Sequence, residues 1–297
     1  MQPSLFQSTC RNSTLRVGPA GWNYKDWEGI VYPAARSFDA LAFLADYCDT
    51  IEINSSFYAP PRPKDTAAWA RRVQNNPRFR FTAKAWRRIS HESGAGEESA
   101  LAADCEEMRR SMAPLVEAGA LGALLVQFPW RFRCGPENME YLEKLFSMLR
   151  DFPLVLEVRH GSWNEEAFYD FLQEKQVAFC NLDQPVIGNS IKPSERATAQ
   201  LGYFRLHGRN YGNWFKEYVG RDARYDYLYT KAEVRQLSGQ IRRLHQSTEE
   251  TYVITNNHFR GQALVNAMEI LEELDGVPPA VPPLLAASYP DRFSRKM

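Results

Sequence analysis

Short apolar segments alternate with amphipathic segments along almost the whole chain, and this alternation constrains the fold more than any other feature. The apolar segments have the length and composition of strands that are buried on both faces. The amphipathic segments between them have the period of helices. Because neighbouring parallel strands need a crossover between them, usually a helix, the pattern indicates repeated βα units around a parallel sheet.

Eight segments are predicted strands: Arg16–Gly21, Thr50–Ser55, Arg80–Ala85, Gly122–Phe128, Leu154–Arg159, Ala178–Asp183, Tyr203–His207 and Thr251–Asn256. Seven segments are predicted helices: Asp39–Tyr47, Lys64–Val73, Glu98–Glu117, Glu137–Leu149, Glu165–Lys175, Lys231–His245 and Gly261–Leu274. The stretch Ile187–Gln200 is a poor helix. No GxGxxG motif follows a strand, which disfavours an open dinucleotide-binding sheet. We predict the α/β class and a single (β/α)8 TIM barrel.

The 297 residues are predicted to form one domain with two additions. Residues 1–15 are polar and irregular, and we expect them to be a flexible N-terminal tail, with the barrel domain covering residues 16–297. Residues 208–230, after the seventh strand, are aromatic and charged. A connection of this length is usually functional or disordered, and its aromatic content favours a lid over the barrel mouth.

Charge and cysteine content narrow the function classes. Basic and acidic residues number 36 each, so no overall bias favours nucleic acid or an anionic membrane. Five cysteines are scattered without a CxxC spacing, which is typical of reduced thiols in a cytoplasmic protein. No apolar run reaches the roughly 18 residues that span a bilayer, and no signal-peptide pattern is present. We expect a cytoplasmic protein without membrane contact.

Polar residues gather at the carboxyl ends of the predicted strands, where TIM barrels carry their active sites. Alternate positions on each strand place these residues on one face: Glu52, Asn54, Thr82, Lys84, Gln127, Glu157, Arg159, Asn181, Asp183, Arg205, His207 and Asn256 or Asn257. A satisfied network of ion pairs filling the barrel is the simpler interpretation for any single residue. For the set as a whole, a pocket is the favoured interpretation.

Tryptophans follow the same strand ends. Five of the seven lie just beyond a predicted strand: Trp22, Trp86, Trp130, Trp163 and Trp214. Some of them must pack loops against helices. An aromatic rim also suits stacking on a sugar or a nucleobase, so Trp22, Trp163 and Trp214 are candidate binding residues.

The strand-end motifs resemble those of the YecE-like family, also called domain of unknown function 72. The matching segments are GWNYKDW from Gly21, EINSSFY from Glu52, QFP from Gln127, EVRHGSW from Glu157, RLHG from Arg205 and NN from Asn256. The resemblance runs from about Arg16 to Leu274 and implies a TIM barrel. It implies no reaction, since the family's activity is not established. Two departures are Pro19-Ala20, where the family usually has Thr-Ser, and His258, where it usually has a small acidic residue.

The predicted ring suits acid–base chemistry on an anionic ligand such as a phosphorylated sugar or a nucleotide. Glu157 and His207 are the expected proton carriers, with Lys84 as an electrostatic stabiliser or imine former. Arg159 and Arg205 are expected to clamp phosphate or carboxylate. The remaining candidate ligand contacts are Glu52, Asn54, Gln127, Asp183 and Asn256. We expect no cofactor and no tightly bound metal.

Two alternatives remain at this stage. A metal-dependent isomerase or endonuclease would use Glu157, Asp183 and His207, with His258 added, as ligands. A non-catalytic module would bind nucleic acid or a partner protein through the aromatic rim. A glycosidase is disfavoured because the fourth and seventh strands end in Gln127 and His207, where such barrels usually carry glutamate.

Overall fold

A computed structural model describes residues 14–35, 37–92, 98–212 and 224–293. Within those ranges, eight parallel strands lie side by side in the order β1-β8-β7-β6-β5-β4-β3-β2, so that consecutive strands from β2 to β8 pair and β1 pairs with β8. The strands are β1 (Leu15–Pro19), β2 (Thr50–Ile53), β3 (Arg80–Lys84), β4 (Leu121–Gln127), β5 (Leu154–Glu157), β6 (Ala178–Asp183), β7 (Leu201–Leu206) and β8 (Glu250–Thr255). The predicted (β/α)8 barrel is confirmed.

The ring closes between β1 and β2. Ala20 and Glu52 form a parallel bridge there, and the amide of Gly21 donates to the carbonyl of Glu52 at 2.8 Å. Gly18 makes this approach sterically feasible, because a Cβ at that position would lie 1.8 Å from the carbonyl oxygen of Thr50. A larger residue at position 18 would therefore push the two strands apart.

Helices cover the outside of the ring, close to their predicted positions. In the described residues they are α1 (Ala40–Ala45), α2 (Pro63–Arg72), α3 (Glu98–Glu117), α4 (Pro136–Met148), α5 (Glu166–Glu174), α6 (Lys231–Gln246), α7 (Gln262–Asp275), α8 (Pro283–Ser288) and α9 (Pro290–Phe293). Thr230 begins α6 with a capping box, in which its hydroxyl accepts from the amide of Glu233. Residues 187–200 contain no helix, in agreement with their weak helical pattern.

Short helical turns follow several strands and place their loops over the barrel mouth. They are the 3-10 helices Lys25–Trp27, Ser55–Phe57, Gly161–Trp163 and Phe259–Gly261, and a π-helix at Arg88–Glu92. Single-turn π-helices occur frequently at functional sites. The carboxyl end of the barrel is thus surrounded by tight turns.

Three further predictions concern the tail and the lid, the cysteines, and membrane-spanning helices. Residues 1–13 of the predicted tail and residues 213–223 of the predicted lid lie outside the described residues, and β1 already begins at Leu15. The four cysteines in the described ranges carry free thiols. In the same ranges, every helix is too short or too polar to cross a lipid bilayer.

Candidate functional site

A buried ion pair network crosses the interior of the barrel at its carboxyl end. Arg205, the inward-facing residue near the end of β7, bridges two carboxylates contributed by other strands. Its Nη2 donates to Oε1 of Glu52 at 2.7 Å, and its Nη1 donates to Oε2 of Glu157 at 2.5 Å. Neither carboxylate has any exposed surface, and Arg205 is 2% exposed. Residues from β2, β5 and β7 are therefore held together by one guanidinium group.

Each of the two carboxylates has a second partner. Arg159 donates from Nε and Nη2 to Oε1 of Glu157, at 2.9 and 2.7 Å. The hydroxyl of Tyr203 donates to Oε2 of Glu52 at 3.0 Å. Burial raises the pKa of Glu157, but the charges of Arg205 and Arg159 outweigh it, so the net shift is strongly downward. The ion pairs therefore favour the anionic form of Glu157, and its expected role as a proton carrier stays a prediction.

Lys84, the last residue of β3, lies beside this network and is half-buried. Its ammonium group donates to Oε1 of Gln127 at 3.0 Å and lies 4.1 Å from the centre of the Phe57 ring. The amide nitrogen of Gln127 donates to the carbonyl of Phe128 at 2.7 Å, which orients Oε1 toward the lysine. Burial lowers the pKa of Lys84 to about 8, and Arg205 adds to this effect while Glu157 and Glu52 oppose it. Lys84 is thus a readily deprotonated amine.

His207 follows β7 and is fully buried next to Glu157. The side-chain amide of Asn256 lies 2.9 Å from Nδ1 of His207. Since the amide nitrogen donates, Nδ1 accepts, and the ring proton lies on Nε2, 3.8 Å from Oε1 of Glu157. Burial and then the charge of Arg205 lower the pKa of His207 well below its usual range. The imidazole is therefore neutral at physiological pH.

A cavity of about 980 Å³ opens above the network at the barrel mouth. The predicted site residues that line it are Trp22, Asn54, Lys84, Gln127, Arg159, Arg205 and Asn256. Glu52, Glu157 and His207 lie directly beneath them and are shielded from solvent. The structure therefore brings together ten of the predicted residues, seven at the cavity surface and three in the layer that supports it.

Asp183 does not belong to this site, and its predicted position is wrong. The register pairs Cys180 with Tyr203 and Leu182 with Arg205, so Cys180 and Leu182 face the interior while Asp183 faces the helices. Its carboxylate accepts from Arg209 at 2.6 Å and from the hydroxyl of Tyr229 at 2.6 Å. Along the second half of β6, Cys180 and Leu182 therefore face inward, and Asn181 and Asp183 face outward.

The tryptophans serve different purposes. Trp22 lines the cavity and packs edge-on against Trp69, with 5.3 Å between ring centres. Trp130 also lines the cavity and is 38% exposed. Trp163 is completely buried, stacks on Phe132 and donates from Nε1 to its carbonyl at 2.8 Å. Trp163 thus anchors a loop and does not reach the cavity, which corrects its predicted position.

The aromatic and charged residues of the predicted lid divide into three groups. Trp214, Lys216 and Arg221 lie outside the described residues. Arg209 is occupied on the outer face by Asp183 and Glu233.

Arg224 does line the cavity. It therefore remains as a lid cation at the cavity surface.

Several lining residues were absent from the predicted ligand contacts, although His258 was named as a ligand in the metal alternative. His258 stacks on Tyr24 with 4.6 Å between ring centres and an interplanar angle of 12°, and Tyr225 packs beside it. Nδ1 of His91 forms a hydrogen bond with the hydroxyl of Ser90, with 2.8 Å between the two atoms. Burial and then the charge of Lys84 lower the pKa of His91 to about 4. Tyr24 and His258 lie in loops just beyond strands, and that position was the signal that could have identified them. His91 lies in the π-helix after β3, and Tyr225 lies shortly before α6.

The donors of the metal alternative do not converge. Asp183 lies on the outer face of the sheet while Glu157 and His207 lie inside it. Across residues 14–35, 37–92, 98–212 and 224–293, no three His, Cys, Asp or Glu side chains are arranged to hold one metal ion. The predicted ligand set of a metal-dependent isomerase or endonuclease is therefore wrong for this chain.

Comparison with known proteins identifies the family. The family model described as "Protein of unknown function DUF72" matches residues 16–287. The UPF0759 protein YunF of Bacillus subtilis is 29% identical over 271 residues, which cover 88% of this chain and 95% of that protein.

Solved structures agree with this match. A DUF72 family protein from Thermotoga maritima is 32% identical with a TM-score of 0.75, covering 88% of this chain and 97% of its own. A DUF72 family protein from Enterococcus faecalis is 29% identical with a TM-score of 0.76, covering 88% and 95%. The chain belongs to the DUF72 family of TIM-barrel proteins.

Proposed function

We propose that this protein is an enzyme that carries out acid–base chemistry on a small anionic ligand, a phosphorylated sugar or a nucleotide-like molecule, at the barrel mouth. The observation that carries the proposal is the placement of Lys84, Arg159 and Arg205 at the surface of one polar cavity. Around them, the supporting carboxylates are already occupied by ion pairs. The cavity volume of about 980 Å³ is at the upper end of the range for small-molecule sites.

Charge balance supports an anionic ligand. Among the described residues, the cavity and its floor hold four cationic side chains, Lys84, Arg159, Arg205 and Arg224, against the carboxylates of Glu52 and Glu157. The side chain of Arg159 is 20% exposed to the cavity although it also binds Glu157. A guanidinium group matches the oxygen spacing of phosphate and carboxylate groups. The excess positive charge is local, since the whole chain has a net charge of zero.

Aromatic residues support a sugar or nucleoside portion attached to the anion. Trp22, Trp130 and the stacked pair Tyr24–His258 surround the cavity opening. Aromatic faces bind sugars and bases by stacking, and each stacked base contributes about 1–3 kcal/mol. The polar floor and the aromatic rim are thus suited to the two ends of one ligand.

Lys84 is the proton carrier in this proposal. A general acid or base works best with a pKa near the working pH, and Lys84 has a pKa of about 8 at the cavity surface. Glu52 and Glu157 hold the two arginines in place. Nε2 of His207 lies 3.8 Å from Oε1 of Glu157, and Asn256 orients the His207 ring through Nδ1. The proton-transfer role therefore moves from Glu157 and His207 to Lys84.

A thermal-shift comparison of sugars with their phosphates tests the proposal. Glucose 6-phosphate and ribose 5-phosphate are expected to stabilise the protein, and glucose and ribose are not. Arg159→Met is expected to weaken phosphate binding by about 2–4 kcal/mol, part of which reflects the partner that Glu157 loses. Arg243→Met, which removes an exposed pair with Glu195, is the matched control and leaves binding unchanged.

Two results would count against this function. Equal stabilisation by neutral and phosphorylated sugars would refute the anionic ligand. Binding without turnover, with affinity unaffected by Lys84→Met, would favour a non-catalytic binding module.

A further inference from the structure

We infer that Lys84 forms an imine with its ligand, so that the substrate class is a small phosphorylated ketone or aldehyde. The inference deepens the proposed function and rests on it. It requires an amine that reaches the cavity, stays unprotonated for part of the time and is held in one position.

The position of Lys84 is defined on two sides. Its Nζ donates to Oε1 of Gln127 at 3.0 Å, and the ring of Phe57 lies 4.1 Å away. Both of these neighbours are uncharged. The carbonyl of Lys84 accepts from the hydroxyl of Ser56 at 2.7 Å, which ties the backbone of β3 to the turn after β2. Among the described lining residues Lys84 is the single lysine, so an amine–carbonyl reaction in this cavity has one site.

The surroundings of Lys84 favour the neutral amine. Burial lowers its pKa to about 8. The titratable and charged groups that face it from the packed elements are Glu52, Glu157, Arg159, Arg205, His207 and His91. The two carboxylates in this group are already engaged by Arg205, so neither of them forms a direct ion pair with Lys84. Amines with lowered pKa values are the usual imine-forming lysines in enzymes.

The proposed step is balanced without an oxidant or a reductant. The lone pair of neutral Nζ attacks the carbonyl carbon, a C–N bond forms as the C=O π bond breaks, and one of the two Nζ protons passes to the carbonyl oxygen to give a neutral carbinolamine. A second proton converts the hydroxyl group to water, which leaves as the C=N bond forms. The product is a protonated imine, and one water molecule is released. The second proton comes from solvent and accounts for the positive charge on the imine nitrogen.

The arginines orient such a substrate. Arg159 and Arg224 line the same cavity as Lys84 and can bind a phosphate group. A phosphorylated ketone would therefore be held at its anionic end while its carbonyl group meets the amine. A neutral ketone lacks this anchor.

Borohydride trapping tests the inference on the full-length protein. Sodium borohydride is added in the presence of dihydroxyacetone phosphate at neutral pH, and peptide mapping by mass spectrometry locates the reduced adduct. We expect adduct at Lys84 in roughly ten-fold or greater excess over the exposed Lys144, whose pKa is raised by Glu140 and Glu98. Dihydroxyacetone without the phosphate is expected to give much less adduct at Lys84.

Variants and a binding measurement separate the two proposals. Lys84→Met is expected to abolish the adduct at position 84, and a thermal melt checks that this variant is folded. Peptide mapping of the wild-type protein tests the inference even if the variant does not fold. If dihydroxyacetone phosphate stabilises the wild-type protein but no adduct forms at Lys84, the imine inference is wrong and the proposed function stands. If no phosphorylated ligand binds, the proposed function itself fails. Equal labelling of Lys84 and Lys144 would also overturn the inference.

Discussion

Gln127→Glu is the substitution that most directly tests the electrostatics of the site. It keeps the shape of the side chain and places a negative charge where Oε1 now accepts from Nζ of Lys84 at 3.0 Å. At an effective dielectric constant of about 20, two unit charges at this distance attract by about 5–6 kcal/mol. Sharing of the charge between two oxygens and side-chain relaxation reduce this to about 3 kcal/mol, or about 2 pKa units.

The expected result is a large loss of amine reactivity. With a pKa of about 8, roughly one-tenth of Lys84 is neutral at pH 7. After an increase of about 2 units the neutral fraction is about one-thousandth, so acylation of Lys84 at pH 7 should slow about 100-fold. Competitive labelling with acetic anhydride, with Lys144 as the internal reference, measures this directly.

An uncharged control distinguishes charge from packing. Gln127→Met removes the hydrogen bond to Lys84 without adding charge and should leave the reactivity within a few-fold of wild type. Both substitutions lose the hydrogen bond to Phe128, so both should reduce stability by about 1–3 kcal/mol. Unchanged labelling of Lys84 in Gln127→Glu would refute the direct contact between the side chain at position 127 and this amine.

Three further predictions concern stability. Arg205→Met should destabilise the fold by about 3–5 kcal/mol in urea denaturation, because it leaves two buried carboxylates without their shared partner. Burial lowers the pKa of His207 in the folded protein, so the unfolded chain binds this proton first as the pH falls. The free energy of unfolding therefore decreases below pH 6.5, by at most about 1.4 kcal/mol per pH unit, and His207→Gln should make this decrease smaller. Trp163→Ala should cost about 3–5 kcal/mol without changing ligand affinity, whereas Trp130→Ala should weaken ligand binding with little loss of stability.

Each of these predictions has a result that contradicts it. Arg243→Met, at an exposed pair, should cost at most about 1 kcal/mol, and an equal effect at Arg205 would argue against a buried network. An unchanged pH profile in His207→Gln would mean that this ring is not held neutral. Loss of ligand binding in a well-folded Trp163→Ala protein would return this residue to the site.

Sequence patterns were sufficient to predict the barrel and the end of it that carries the cavity. Strands buried on both faces must be apolar, so the alternation of β-type and helical segments persists along the chain and predicts the βα order. Polar residues at strand ends interrupt that rule, and interruptions of this kind identify Glu52, Lys84, Glu157 and Arg205 without coordinates. Such residues are expensive to bury, which is why they stand out.

The bonding partners of the site residues and the face that each strand residue occupies depend on contacts between distant parts of the chain. Strand β6 alternates as expected, but its register against β7 turns Asp183 outward, because a shift of one residue exchanges the two faces of a strand. Trp163 follows a strand end as Trp22 does, yet it points into the packing between loops, a direction that depends on residues distant in the chain.

The pKa of Lys84 is likewise a sum over β2, β4, β5 and β7, set by distances that exist only in the closed barrel. The sequence pattern of a strand indicates which of its residues are buried. The chemistry depends on which side chains meet across the ring.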